Sequence, residues 1–371
     1  MLVLFLQTTL PALVARSENM ATPRTPFANL YVIDRTVDAT TTTVGEFIDE
    51  LSGANNSNMT IIDDKLKEIS DSIGDGTITI KSNGDYVQSF SVNQHNDVVI
   101  DLDIPIVPPS VDPVLGNNTW SVISSVSAWI AEHGFTPGEV FNMLGWALGD
   151  PKPLTVGSIT YALRFIDTCH DDLADGSGKA GMTFDLASGW GETAATPDLT
   201  RFNTSSTNLT GWDRSMMRLG AAGDGGTPIA GEAVIPNVRT AISNSNDGAT
   251  GHRGSDLMQV VKTVNKPTAT SGSDGSIVLS QDDLFLMSER EVFGNNNSSF
   301  PGEGEIYAWY QVNNTNIARQ KPLPVGGINM VWWLRSPHMG NSTSIRQVTA
   351  FGMTGGMITN SPSLTSFALC I

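Results

Sequence analysis

Three hydrophobic rhythms follow one another along this chain. The first is helical. Residues 43–51 (TVGEFIDEL) read as a short helix with Thr43 at the N-cap and Glu46 three residues on, and Ser52 to Asn56 break it. From Thr60 onward Ile62, Leu66, Ile69 and Ile73 are spaced four, three and four apart, the a/d stripe of a coiled coil about two heptads long. So short a stripe is not a stable helix alone and has to pack on a core or on the same segment of sister chains.

The second rhythm is alternation. Gly74-Asp75-Gly76 stop the helix, and Ile78 and Ile80, Phe90 and Val92, then Ile100, Leu102 and Ile104 alternate with polar residues. Asn83-Gly84 supplies a hairpin turn between the first two runs, and residues 94–97 (QHND) separate the second from the third. Three short strands with one apolar face bury too little to stand alone, so the segment reads as a stalk that associates with other copies.

The third part follows a proline cluster. Pro105, Pro108, Pro109 and Pro113 predict a stiff linker over 106–118. Beyond it Thr119 is placed to cap a helix over 120–132 that carries Trp120, Ile123, Val126 and Ile130, with Gly134 ending it. Thr136-Pro137-Gly138-Glu139 restarts a helix, with proline at N1 and glutamate at N3, burying Val140, Leu144 and Leu148 before Gly149-Asp150-Pro151. From about residue 154, short apolar runs are separated by long loops rich in Gly, Ser, Asn and Asp. The pattern is that of a mixed α+β head.

Composition narrows the function. The chain has 371 residues, 40% of them apolar and eight of them Trp, which is enough for a core and suggests two or three domains. Thirty-eight acidic against twenty-one basic residues leave a net charge of -17, which repels a phosphate backbone and argues against nucleic acid. Two cysteines, Cys169 and Cys370, make neither a disulfide framework nor a zinc pair, and read as buried free thiols, with one long-range bridge between them as the alternative. Residues 1–15 are apolar but lack a basic n-region and are too short to span a membrane, so no membrane insertion is expected. Residues 1–20 read as a leader or, more simply, as sequence upstream of a start at Met20.

The last forty residues are the most telling. Val331-Trp332-Trp333-Leu334-Arg335-Ser336-Pro337 is a rigid apolar anchor followed at once by short polar side chains, a scaffold presenting an adaptable surface. Trp332, Trp333 and Leu334 are expected to anchor a core strand while Arg335 hydrogen-bonds neighbouring carbonyls. The presented contact surface is assigned to Asn341, Ser342, Ser344, Arg346, Thr349, Phe351, Met353, Thr354, Asn360 and Ser361.

Other chemistry fits the sequence less well. Asp171-Asp172-Leu173-Ala174-Asp175-Gly176-Ser177 has the look of a calcium loop, but an EF-hand alignment on Gly176 puts Leu173 and Met182 where oxygen ligands belong. A turn-rich structural loop is expected instead, with no metal and no cofactor. Cys169-His170-Asp171 has the residue types of a nucleophile relay, but consecutive residues of a strand point to opposite faces. His252-Arg253-Gly254-Ser255-Asp256 lacks a nucleophile elbow. No Walker loop and no HExxH is present, and no catalytic residues are assigned.

Four motifs in order carry a resemblance. They are residues 170–181 (HDDLADGSGKAG), 211–218 (GWDRSMMR), 282–292 (DDLFLMSEREV) and 332–337 (WWLRSP). Over 119–371 the chain resembles the C-terminal C-type-lectin-like head of phage and gut-bacterial proteins, and residues 78–84 (ITIKSNG) look like the fibre segments of phage virion proteins. Some members are targets of diversity-generating retroelements, which would mutagenise codons of the tail. One departure is Ser363-Leu364-Thr365-Ser366-Phe367, where the family usually has a Gly-Val-Arg-Pro-like strand, so the final strand is expected to pack differently.

The resemblance implies a tail or head fibre adhesin on the virion surface, outside the cell, assembled as a homotrimer. Residues 21–58 would attach it to other virion proteins, 59–76 form a short coiled coil, 77–105 a β stalk and 119–371 the receptor-binding head. The partner would be a host-cell surface protein or glycan. The alternative is a tail-associated glycan hydrolase on the same scaffold.

Overall fold

The computed structural model describes residues 107–191 and 199–371, and before them the strands Leu13–Val14, Thr36–Val37, Gly76–Ser82, Asp85–Val92 and Val98–Leu102. The chain divides into two compact units, Met1–Val107 and Pro108–Ile371. Its class is α+β.

In the first unit the alternating segment forms a three-stranded sheet with Gly76–Ser82 in the middle. Asp85–Val92 pairs with it antiparallel, Ser82 opposite Asp85, so that only Asn83 and Gly84 connect the two. A two-residue connection is what the Asn-Gly pair predicts from sequence. The third strand, Val98–Leu102, runs parallel to the first, an arrangement the alternation does not specify. The 43–51 helix and the Ile62 to Ile73 stripe lie outside the described residues.

The second unit starts earlier than the proline cluster suggests. Asp112 is drawn into the head: its backbone carbonyl accepts from Trp146 Nε1 at 2.9 Å and from Asn118 Nδ2 at 2.9 Å, and Leu115 is buried. Residues 108–118, expected as linker, therefore belong to the head. The first helix, Trp120–His133, begins where Thr119 Oγ1 accepts from Val122 N and ends at left-handed Gly134. Its buried stripe is Trp120, Ile123, Val126 and Ile130, and Trp120 meets Phe184 edge to face at 6.4 Å. The second, Pro137–Leu144, has a complete capping box between Thr136 and Glu139. It stops at left-handed Gly145, one turn before Leu148, which is only half-buried.

Two five-stranded sheets build the rest. The first runs in the order Leu284–Phe285, Ala368–Cys370, Met182–Leu186, Ile159–Thr168, Pro151–Val156 and is antiparallel throughout. The second runs Thr354–Ile358, Ser344–Val348, Trp332–Pro337, Ser363–Leu364, Leu199–Thr200. Within it only the Trp332–Pro337 and Ser363–Leu364 pair is parallel. Trp332–Pro337 is buried at all six positions, which a strand covered on both faces requires. The Trp333 indole donates to Thr200 O at 2.7 Å and that of Trp332 to Arg319 O at 3.0 Å, so neither ring buries an unsatisfied N–H. One continuous apolar cluster joins Phe165, Phe184 and Leu186 of the first sheet to Trp332, Trp333 and Val348 of the second. Ser363–Leu364 and Ala368–Cys370 join different sheets, so the departure at 363–367 sits where the chain crosses between them.

Candidate functional site

The candidate site is the outer part of the second sheet, and a buried ionic chain holds it in place. Arg335 projects from the central strand and is fully buried. Its guanidinium grips Glu291 with two bonds, Nη1 to Oε2 at 2.5 Å and Nη2 to Oε1 at 2.8 Å, and donates to the carbonyls of Leu286, Pro267 and Glu303. Glu291 also accepts from Lys266 Nζ at 2.7 Å. Lys266 in turn bonds Asp171 and the Tyr307 hydroxyl, and Asp171 accepts from Thr183 Oγ1 at 2.9 Å and Cys370 Sγ at 3.3 Å. The motifs at 170–181, 282–292 and 332–337 thus meet in one network running from the first sheet to the second.

Electrostatics follow from that geometry. Burial alone would push the Asp171 carboxyl up, but Lys266 and His170 beside it hold it well below the usual carboxylate range. For Glu291 burial is likewise overcome, by Arg335 and Lys266, and its pKa is lowered. Glu303 is the exception: burial pushes it up from 4.5 to about 7, although Arg335 lies close by. A charge chain satisfied at each link holds its strands in one register, because breaking a link leaves an unpaired buried ion.

The same device reaches the outer strands. The short helix Glu289–Phe293 is capped by Ser288, and Glu289 Oε1 accepts from Arg346 Nε at 2.8 Å and from Thr354 Oγ1 at 2.6 Å. Arg346 lies on Ser344–Val348 and Thr354 opens the neighbouring strand, so one carboxylate ties both to the core. Burial would raise the Glu289 pKa, but Thr354 and Arg346 hold it below the usual range.

Placement of the ten expected contact residues is uneven. Ser342, Phe351, Met353 and Asn360 are exposed, while Asn341, Thr349, Thr354 and Ser361 are half-buried. Ser344, 8% exposed, and Arg346, 5% exposed, are interior, and their assignment to the presented surface is corrected here. Arg346 points inward because Glu289 offers its charge a partner there. Asn341 shapes its own turn, its Oδ1 accepting from Thr343 N at 2.8 Å and Ser344 N at 3.1 Å. The exposed residues form two groups. Thr359 N donates to Thr343 O at 3.0 Å, which sets the 341–343 turn beside 359–361. The Thr349 to Met353 turn lies at the other end of the strand pair, against Asn316. Five residues of strand separate them, about 17 Å.

A signal that motif reading passes over is the charge pattern. Over residues 306–371 the only charged side chains are Arg319, Lys321, Arg335 and Arg346, and all four are buried. Everything this stretch exposes is therefore uncharged, in a chain of net charge -17. It also supplies eight of the fifteen large apolar side chains exposed among the described residues, among them Ile317 at 78% and Phe351 at 71%. Charge depletion with exposed Met, Phe and Ile is the composition of an interface centre, not of a solvated face.

The remaining candidates resolve differently. The 171–177 loop turns its carboxylates to separate partners: Asp171 inward to Lys266, Asp172 to Lys179 at 3.0 Å, Asp175 Oδ1 to Ser177 N at 2.9 Å. Among the described residues no group of three or more His, Cys, Asp or Glu is arranged to hold a metal ion. Cys169-His170-Asp171 lies beyond the strand expected to carry it. The strand ends at Thr168, Cys169 takes a φ of 48°, and His170 Nδ1 comes within 3.4 Å of Asp171 Oδ1. The Cys169 thiol, however, is turned to Ile130 O at 3.6 Å. Both cysteines are free, Cys370 buried and Cys169 only half-buried. No helix among the described residues is long and apolar enough to cross a membrane.

Residues 252–364 match a family model described as a domain of unknown function, DUF6273. Neither a curated protein nor a solved structure matches the chain.

Proposed function

We propose that the chain is a phage virion adhesin whose second unit is a C-type-lectin-like head that binds a host-surface receptor through the outer strands of its second sheet. The observation that carries this reading is the wholly uncharged surface of residues 306–371, mounted on strands locked by Arg335–Glu291 and Arg346–Glu289. A rigid frame beneath small polar and apolar side chains suits recognition, since contacts form with little further loss of side-chain freedom. Residues 21–58 would attach the molecule to the particle and the three-stranded segment would belong to a trimeric stalk. The four ordered motifs support the same family, and the exposed Ser342 and Asn360 lie where diversified codons would act.

Adsorption of the full chain to intact host cells tests the proposal. Retention of the protein on cells with the surface polymer unchanged in length supports it, and reduced retention of a Phe351→Ser variant assigns the contact. Progressive shortening of the polymer would overturn it in favour of glycan hydrolysis.

A further inference from the structure

Among the described residues, the outermost strand of the second sheet, Thr354–Ile358, has a neighbour on one side only. Its free edge can be read from the bonds that bracket it. Thr359 N donates to Thr343 O, and Thr349 N donates to Met353 O at 2.8 Å. In an antiparallel ladder, bonded and non-bonded pairs alternate, so Met357 with Ile345 and Gly355 with Gln347 carry the inward bonds. Thr354, Gly356 and Ile358 then aim their N–H groups outward, and Thr354 and Gly356 their carbonyls as well. Among the described residues, the outward carbonyl with a backbone partner is that of Ile358, which accepts from Ser361 N at 2.9 Å.

Proteins normally guard such an edge with a charge, a proline or a bulge. This strand reads TGGMI, pairs with its neighbour in unbroken register, and has none of the three. Two chains of net charge -17 repel each other wherever carboxylates would meet, and the edge lies within the one long stretch that exposes no charge. The edge is also self-complementary. An antiparallel register centred on Gly356 sets Gly356 against Gly356 and Thr354 against Ile358, bringing the outward groups of both copies into bonded pairs. Two glycines at the centre remove any side-chain clash there.

We infer that a second copy of this chain covers the edge, the two Thr354–Ile358 strands pairing antiparallel about a twofold axis at Gly356. The contact is isologous, so it is distinct from a threefold stalk, and it does not depend on the receptor reading. Its consequence for that reading is avidity, since paired heads present their turns together.

Sedimentation of the full chain over rising concentration, in low and in high salt, tests the inference. The expected result is a concentration-dependent doubling of mass that salt does not weaken, with slowed amide exchange at Gly356 and Ile358. Ile358→Lys places a guarding charge on the edge, and Ile358→Pro, at a position already exposed, deletes an outward N–H while leaving the inward bonds of Met357 and Gly355 intact. Each should abolish the doubling without moving the thermal midpoint. An association that survives both variants, a mass independent of concentration, or slowed exchange at those amides in a species that does not double would overturn it. The last result would mean that another segment covers the edge.

Discussion

Arg335 shows how one residue sets the conditions for the site. It is fully buried and doubly bonded to Glu291, which shares Lys266 with Asp171. Arg335→Met is expected to cost about 3–5 kcal/mol in urea unfolding, because it leaves a buried carboxylate short of charge. Lysine at the same position offers one point charge in place of a fork and should restore only part of that. Glu303 makes the opposite case. Burial raises its pKa from 4.5 to about 7, so the folded state holds a proton that the unfolded chain releases. Its contribution is complete below about pH 4.5 and is lost as the pH rises through about 7, a difference of about 3 kcal/mol. Glu303→Gln keeps an acceptor for Ala269 N and cannot ionise. Relative to the parent it should gain about that much stability between acid and alkaline conditions, read from unfolding curves on either side of neutrality.

At the scale of elements, the turn at Thr349 to Met353 depends on Gly352. Its φ is 76°, and a Cβ there would lie 1.7 Å from Asn316 O, a backbone atom that cannot swing away. Gly352→Ala should cost more than about 1 kcal/mol by thermal unfolding and accelerate amide exchange in the turn. Helix ends were the most readable elements. Thr119, Thr136 with Glu139, and Gly134 act as caps where their residue types put them, because a cap is a local hydrogen-bond problem. Burial on the outer strands was less readable. Ser344 and Arg346 look like surface residues beside Asn341 and Ser342, yet both are interior, because Glu289, 57 positions from Arg346, supplies the partner.

For the whole molecule, the uncharged surface over 306–371 governs how partners are met. An interaction through it should be insensitive to ionic strength, since there is no exposed charge for salt to screen. Cell adsorption of the full chain is expected to change little between low and high salt. Phe351→Ser should weaken it about tenfold, or about 1.4 kcal/mol, with an unchanged melting midpoint, as for a truncated apolar anchor. Strong salt dependence would point instead to the acidic remainder of the molecule.

What the amino-acid order determined alone was local: the caps, the Asn83-Gly84 hairpin, the alternating strands, the apolar Trp332 to Leu334 anchor, and the restriction of charge over 306–371 to four basic residues. Each follows from neighbours a few positions apart or from composition. The tertiary structure alone decided that those four charges are satisfied inside, that Asp112 and Leu115 belong to the head, and that Thr354–Ile358 ends a sheet with the backbone groups of three of its five residues facing outward. Those outcomes depend on partners separated by tens to more than a hundred residues, as with Asp171 and Tyr307, and no local pattern encodes which partner arrives.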